Sequence, residues 1–206
     1  MPTPNKNYAK LSKTSQADFF GGRPAFQAGR PPKINVTGGK NLIIVAFALI
    51  AILTGVDQWI KIWVLENLKD QPSREFIKFG DLKVLNLTYL ENDGAVFGSF
   101  SGMRIMLVVV TSIMIIACMV IMVKNIHKSK FFTISLAMVS AGGIGNLIDR
   151  IFRGGKVVDM FDVQLFNFAI FNFADCCVVI GVIMLIIYLI FLDKEEVSND
   201  SGKRTD

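Results

Sequence analysis

The stretch Ile105–Val123, IMLVVVTSIMIIACMVIMV, contains no charged residue. A charge-free apolar run of that length matches the ~20 residues an α-helix needs to cross a hydrocarbon core. Three further runs resemble it: Leu42–Val56, Phe131–Ile148 and Val178–Leu192. The first reaches full length by continuing through Asp57, Trp59 and Lys61 to Val64. Hydrophobic residues make up 52% of the 206 residues, above the usual share of about 45–50% in soluble domains. The sequence therefore predicts an all-α integral membrane protein with four transmembrane helices, at about 42–64, 103–123, 131–149 and 174–192.

Lys and Arg in the flanks set the expected orientation. Residues 1–40 hold Lys6, Lys10, Lys13, Arg23, Arg30, Lys33 and Lys40 against one acid, Asp18, and the second connection holds Lys124, His127, Lys128 and Lys130 with no acid. Both read as cytoplasmic, as does the C-terminus. Leu65–Gly102 and Asp149–Phe173 then face outward. The net charge of +5 fits attraction to anionic inner-leaflet lipid and gives no reason to invoke nucleic acid. Apolar sequence begins too far from the N-terminus for a cleavable secretory signal, so the first helix reads as an anchor.

Residues 1–40 are rich in Gly, Pro, Asn, Gln and Lys and read as a disordered basic extension. Residues 41–193 form the membrane domain, and 194–206 a cytoplasmic tail. In the first outer connection Leu82–Leu90 alternates in part and is β-prone, Asn92-Asp93-Gly94 is a turn signal, and Ala95–Phe100 reads as a return strand. A small external β element is expected at about 80–100. Gly142, Gly143 and Gly145 permit close helix contact, with packing as their simplest role. Cys118, Cys176 and Cys177 read as small buried apolar residues rather than a disulfide framework.

Ionisable groups at membrane helices are functional candidates by default. Here they are Asp57, Lys61, Asp149, Arg150, Asp159 and Asp175, all toward the outer face. Asp57 and Lys61 are spaced to pair along one helix face. An interfacial ion pair is the reading for Lys61, and Asp57, deeper, reads equally as support for a site. Asn146, Asp149 and Arg150 share a face. Arg150 suits the helix C-terminus, whereas Asp149 opposes the dipole there and calls for a partner, Arg150 or an outer-loop residue. Asn172 and Asp175 have capping spacing, which by itself would account for both. Asp159 has no such explanation, because it sits in the apolar run Val157-Val158-Asp159-Met160-Phe161.

The single histidine, His127, falls on the predicted cytoplasmic side. That removes Ser-His and Cys-His nucleophile pairs and histidine-rich zinc sites from the outer face. A Ser-Lys pair through Ser73, Ser99 or Ser101 has no supporting spacing, and a paired carboxylate is what is left: Asp159 and Asp175 sharing a proton set a base beside an acid. A proton or ion transporter is the competing class, but it calls for acids at mid-bilayer depth on several helices, and the second helix has none.

In chain order, Asp57-Gln58-x-x-Lys61, Asn92-x-Gly94-Ala95-x-Phe97-Gly98, Gly145-Asn146-x-x-Asp149-Arg150, Val158-Asp159 and Phe171-Asn172-x-Ala174-Asp175 resemble the motifs of the lipoprotein signal peptidase (signal peptidase II) family. The resemblance spans about residues 42–192, with Met160 where Phe is common. It implies an aspartic endopeptidase of the bacterial cytoplasmic (inner) membrane, with four helices, an external β-cradle and an active site at the outer face. Its dyad falls on Asp159 and Asp175. Supporting or substrate-binding roles fall on Asp57, Lys61, Asn92, Gly94, Asn146, Asp149, Arg150 and Asn172. The implied substrate is a prolipoprotein cleaved before a diacylglyceryl-modified cysteine, alongside membrane lipids. The implied chemistry uses no metal or cofactor, and globomycin is the implied inhibitor. A monomer is expected. A presenilin-type reading fails because Gly143-x-Gly145 is followed by Asn146.

Overall fold

The computed structural model describes residues 36–94 and 102–192, with side chains from residue 41 onward. The extension before residue 36, the expected return strand Ala95–Phe100 and the tail beyond residue 192 lie outside the described residues. Four long helices are present: α1 (Val36–Asn67), α2 (Arg104–Lys124), α3 (Lys130–Phe152) and α4 (Phe173–Ile187), the last extended by a π-helical turn at Tyr188–Leu192. Each is long and apolar enough to cross a bilayer. Large apolar side chains such as Ile52, Ile105, Ile113, Val179 and Phe191 stay exposed on their outer faces. In water such a surface would be a liability; in lipid it is the matched one.

α3 is the central helix. Half of its most apolar window is buried, against 17–22% for the other three, and α1, α2 and α4 all pack on it. Its composition explains this. The hydroxyls of Thr133, Ser135 and Ser140 donate to carbonyls one turn back, at 2.9, 2.7 and 2.8 Å, so small polar residues are buried without unpaired groups. A Cβ at Gly142 would lie 2.2 Å from the Ala174 carbonyl oxygen, so α3 and α4 are in backbone contact there. The same test at Gly145 gives a different neighbour, the Asp57 carboxylate at 2.5 Å. Gly142 is thus a packing glycine, while Gly145 leaves room for a charge.

The external element is a three-stranded antiparallel sheet in the order β1 (Arg74–Phe79), β2 (Leu82–Asn92), β3 (Val157–Val163). Sequence reading located β2 but not its two partners. β1 and β2 are joined by a two-residue turn whose first residue, Gly80, has φ 61°, which glycine adopts without strain. β1 is exposed along its whole length. β3 comes from the other outer connection, and its first four residues are all buried. Because side chains alternate along a strand, Val158 and Met160 share one face and pack on Val64 and Leu68 of α1, leaving Asp159 on the other. Between the pairs Leu87↔Phe161 and Leu90↔Asp159, two residues of β2 oppose the single residue Met160. This bulge bends β2 beside Asp159.

Candidate active site

Asp159 and Asp175 arrive from different elements. A β-bridge between Phe161 and Phe171 draws the approach to α4 alongside β3. The Phe171 carbonyl accepts from the Met160 and Phe161 amides at 3.0 and 2.8 Å. The next residue, Asn172, therefore lands beside Asp159. Asn172 is the N-cap of α4, and the reciprocal capping bonds anticipated from spacing are both present. Its Oδ1 accepts from the Asp175 amide at 3.0 Å, and its amide donates to Asp175 Oδ2 at 3.1 Å. Capping does not exhaust its role, because Asn172 Nδ2 also donates to Asp159 Oδ1 at 2.6 Å. One residue thus touches both carboxylates, Asp159 through its side-chain amide and Asp175 through its backbone amide.

Each carboxylate has a further amide donor. Asn92 Nδ2 donates to Asp159 Oδ2 at 3.0 Å, and Asn146 Nδ2 to Asp175 Oδ1 at 2.8 Å. Asn92 is held by the expected turn, its Oδ1 accepting from the Gly94 amide at 3.0 Å. The Gly94 carbonyl in turn accepts from the Arg150 guanidinium at 2.9 Å. Arg150 Nε is buried and has no acceptor among the described residues. Asp159 is only 2% exposed. Burial pushes its carboxyl up to about 6, and the Asp175 charge acts in the same direction, while the Asn92 and Asn172 donors and Lys61 oppose them.

Behind these residues lies a buried ionic cluster. Lys61 bridges Asp57 at 3.0 Å and Asp149 at 2.9 Å, and also donates to Asn146 Oδ1 at 2.9 Å. The i,i+4 pairing of Asp57 with Lys61 is as the spacing indicates. The interfacial placement is not: Lys61 is fully buried, because Asp149 from α3 closes over it. Nor is Arg150 the partner of Asp149. Consecutive residues point in different directions around a helix, so Asp149 pairs instead with Arg153 one turn on, at 3.1 Å, and with Lys61. Asp149 Oδ2 also accepts from the Val158 amide at 3.2 Å, anchoring the start of β3. Asp57 Oδ1 accepts from the Ala174 amide at 3.0 Å, in the first turn of α4, where a negative charge is favourable.

Two contributors escaped sequence reading. Gln58 donates to Asp57, to the Gly145 carbonyl and to Asp149 at 3.1, 3.1 and 3.2 Å. It stands in the motif Asp57-Gln58-x-x-Lys61, where the sequence assigned it no role. Arg104, at the start of α2, donates to the carbonyls of Arg150 and Ile151, each at 3.1 Å, and so caps the end of α3 from another helix. Gly102, Met103, Arg104, Ile105 and Met106 line an open cavity of about 510 Å³. No three-ligand metal cluster of acidic, His or Cys side chains occurs among the described residues.

Comparisons with known proteins agree with one another. The profile of the Signal peptidase (SPase) II family matches residues 49–191. The lipoprotein signal peptidase of Enterococcus faecalis is 39% identical over 161 residues, covering 78% of this chain and 97% of that protein. That of Clostridium acetobutylicum is 40% identical over 144 residues, covering 68% and 90%. A bacterial membrane enzyme solved by the in meso method at 2.3 Å superposes with a TM-score of 0.60 at 29% identity, covering 80% of this chain and 94% of that one. A second such structure, at 1.9 Å, gives 0.61 at 32% identity, covering 72% and 94%.

Proposed function

The chain belongs to the signal peptidase II family and is a membrane aspartic peptidase that removes signal peptides from prolipoproteins, and from that premise we propose that Asp159 and Asp175 are the pair that hydrolyses the peptide bond. The observation that carries this reading is Asn172, which donates to the Asp159 carboxylate from its side chain and to the Asp175 carboxylate from its backbone amide. A water held between them loses a proton to one carboxylate and attacks the scissile carbonyl. The other, protonated, donates to the carbonyl oxygen. The proton taken from water then passes to the leaving amine.

Asp159 suits the acid role: it is the more buried, and its carboxyl, raised to about 6, keeps a proton more readily than an ordinary carboxyl does. Asp175 is half-exposed, within reach of water, and takes the base role. Asn92, Asn146 and Asn172 orient the pair through the N–H donors already described. The Arg150 Nε, which has no acceptor among the described residues, suits a backbone carbonyl of the substrate. Asp57, Lys61 and Asp149 support the site from behind, and Gly94 presents its carbonyl to Arg150.

The finer features follow the same reading. The substrate is a prolipoprotein cut before a diacylglyceryl-bearing cysteine, whose acyl chains hold the bond at the bilayer surface. The basic flanks support cytoplasmic termini and an active site on the outer side of the membrane. Residues 41–193 are the peptidase domain, flanked by an extension at 1–40 and a tail at 194–206. The enzyme acts as a monomer and is stopped by globomycin. The test is cleavage of a diacylglyceryl prolipoprotein by the purified enzyme, by D159N and by D175N, with and without globomycin. Near-wild-type cleavage by either variant sinks the pair.

A further inference from the structure

Lys61 hydrogen-bonds to neither aspartate of the proposed pair among the described residues, yet it sits at the head of a directed chain of contacts that ends on one of them. Its ammonium has three donors and no acceptor capacity. All three are used, on Asp57, Asp149 and Asn146 Oδ1. The Asn146 side chain is an amide whose two ends are nearly the same size but opposite in hydrogen bonding. With Oδ1 held by Lys61, Nδ2 must face Asp175, to which it donates at 2.8 Å. Turning the amide over would set N–H against the ammonium and oxygen against the Asp175 carboxylate. It would also oppose Asn172 Nδ2, which donates to the same Asn146 oxygen at 3.1 Å. The direction of Asn172 is itself fixed, because its oxygen accepts from a backbone amide. Of the two groups donating to the Asn146 oxygen, Lys61 is the charged one, and charge-assisted bonds are the stronger kind.

We propose that Lys61 is a positioning residue for the hydrolysis: its ammonium fixes which end of the Asn146 amide faces Asp175. The inference rests on Asp159 and Asp175 being the catalytic pair. The charged groups around the chain are Asp57 and Lys61 from α1, Asp149 and Arg150 from α3, Arg153 at the end of α3, Asp159 from β3 and Asp175 from α4. Among the described residues, only Lys61 presents a cation to the Asn146 oxygen. Asp57 and Asp149 hold the lysine in place, which gives the buried cluster a purpose beyond stability.

Two measurements decide it. In the native protein in lipid bilayers, with ¹⁵N in asparagine side chains and ¹³C at aspartate carboxyls, dipolar recoupling should place Asn146 Nδ2 beside the Asp175 carboxyl. Absence of that coupling overturns the orientation outright. A kinetic cycle with lipidated prolipoprotein then compares K61M, N146L and the double variant, each also in a D57N/D149N background where no buried acid is left unpaired. K61M should lower kcat about tenfold with KM within about twofold, and the double variant should be no slower than N146L alone. Multiplying effects, or failure of every Lys61 variant to fold in both backgrounds, would make Lys61 a structural residue and overturn the proposal. Activity in D159N or D175N would sink the catalytic pair instead, a separate result from any outcome of the cycle.

Discussion

The two halves of the helix bundle have different interiors. In one, Ala46, Ile50, Cys118, Met122, Phe132, Leu136, Ala137, Ala141 and Tyr188 form an apolar cluster, with the Phe132 and Tyr188 rings 5.0 Å apart. In the other, Asp57, Lys61, Asp149, Arg150, Asp159 and Asn172 are all buried, and each has hydrogen-bond or ionic partners. The apolar half is held mainly by fit, with a hydrogen bond from Thr54 to the Ala141 carbonyl at 3.3 Å, since lipid tails are as apolar as the core and give helices little hydrophobic reason to associate. The polar half is held by bonds that have direction. A fit can be restored by any side chain of similar volume, whereas a directed network breaks when a donor becomes an acceptor. Stability and activity should therefore separate along the length of the same four helices.

The largest expected effect lies in the polar half. D159N and D175N should each lose roughly 10²–10⁴-fold in prolipoprotein cleavage while keeping a cooperative thermal transition, because Asn fills the same space. Gly142→Ala attacks the junction of the halves. Its methyl would meet the Ala174 carbonyl oxygen, so α4 must move and carry Asp175 with it. Both Tm and kcat should fall, with about 1–3 kcal/mol lost from stability. Leu136→Ala, in the apolar half, should lower stability by about 2–4 kcal/mol and leave kcat per folded molecule unchanged. An equal loss of kcat would show that the halves are not separable.

pH gives a finer contrast. The Asp159 carboxyl lies above its ordinary value of 3.8, at about 6, so the folded state binds its proton more tightly than the unfolded chain does. Its contribution to stability is present below about pH 4 and is lost as pH rises to about 6, an effect of at most ~3 kcal/mol. D159N should therefore gain stability relative to wild type across that window in thermal melts, and a flat difference would contradict the burial argument. The smallest effect belongs to the exposed hairpin. Glu75, paired with Lys78 and Lys83 on the surface, should tolerate E75Q with no measurable change in Tm or cleavage.

This contrast also explains what the sequence disclosed. The four spans were legible because hydropathy adds residue by residue, and their ends fall within a few residues of expectation apart from α1, which begins earlier, at Val36. Asp159 stood out because a carboxylate in an apolar run demands a partner. The strand that carries it did not, because seven residues containing two acids look like a connection until β2 lies beside them. β1 was hidden for a similar reason: it is an edge strand with no buried face, and so has no alternation to detect. Arg153, an outer-connection partner of Asp149, lies at a local i,i+4 spacing, but the Lys61 partner depends on which helix faces which, and no local pattern encodes it. Arg104 likewise carries no local signal, and only the approach of α2 to the end of α3 makes it a cap.

The pairing of Asp57 with Lys61 has a consequence for how the chain is made. α1 is synthesised first, and Asp149 follows only after roughly 90 more residues, several seconds later at ~5–20 residues per second. During that interval the first span must rest in the bilayer with an acid and a base but without its later partner. An i,i+4 pair on a single helix neutralises itself. The first helix thus carries its own temporary counter-ion into the membrane and shares it with α3 once the third span arrives.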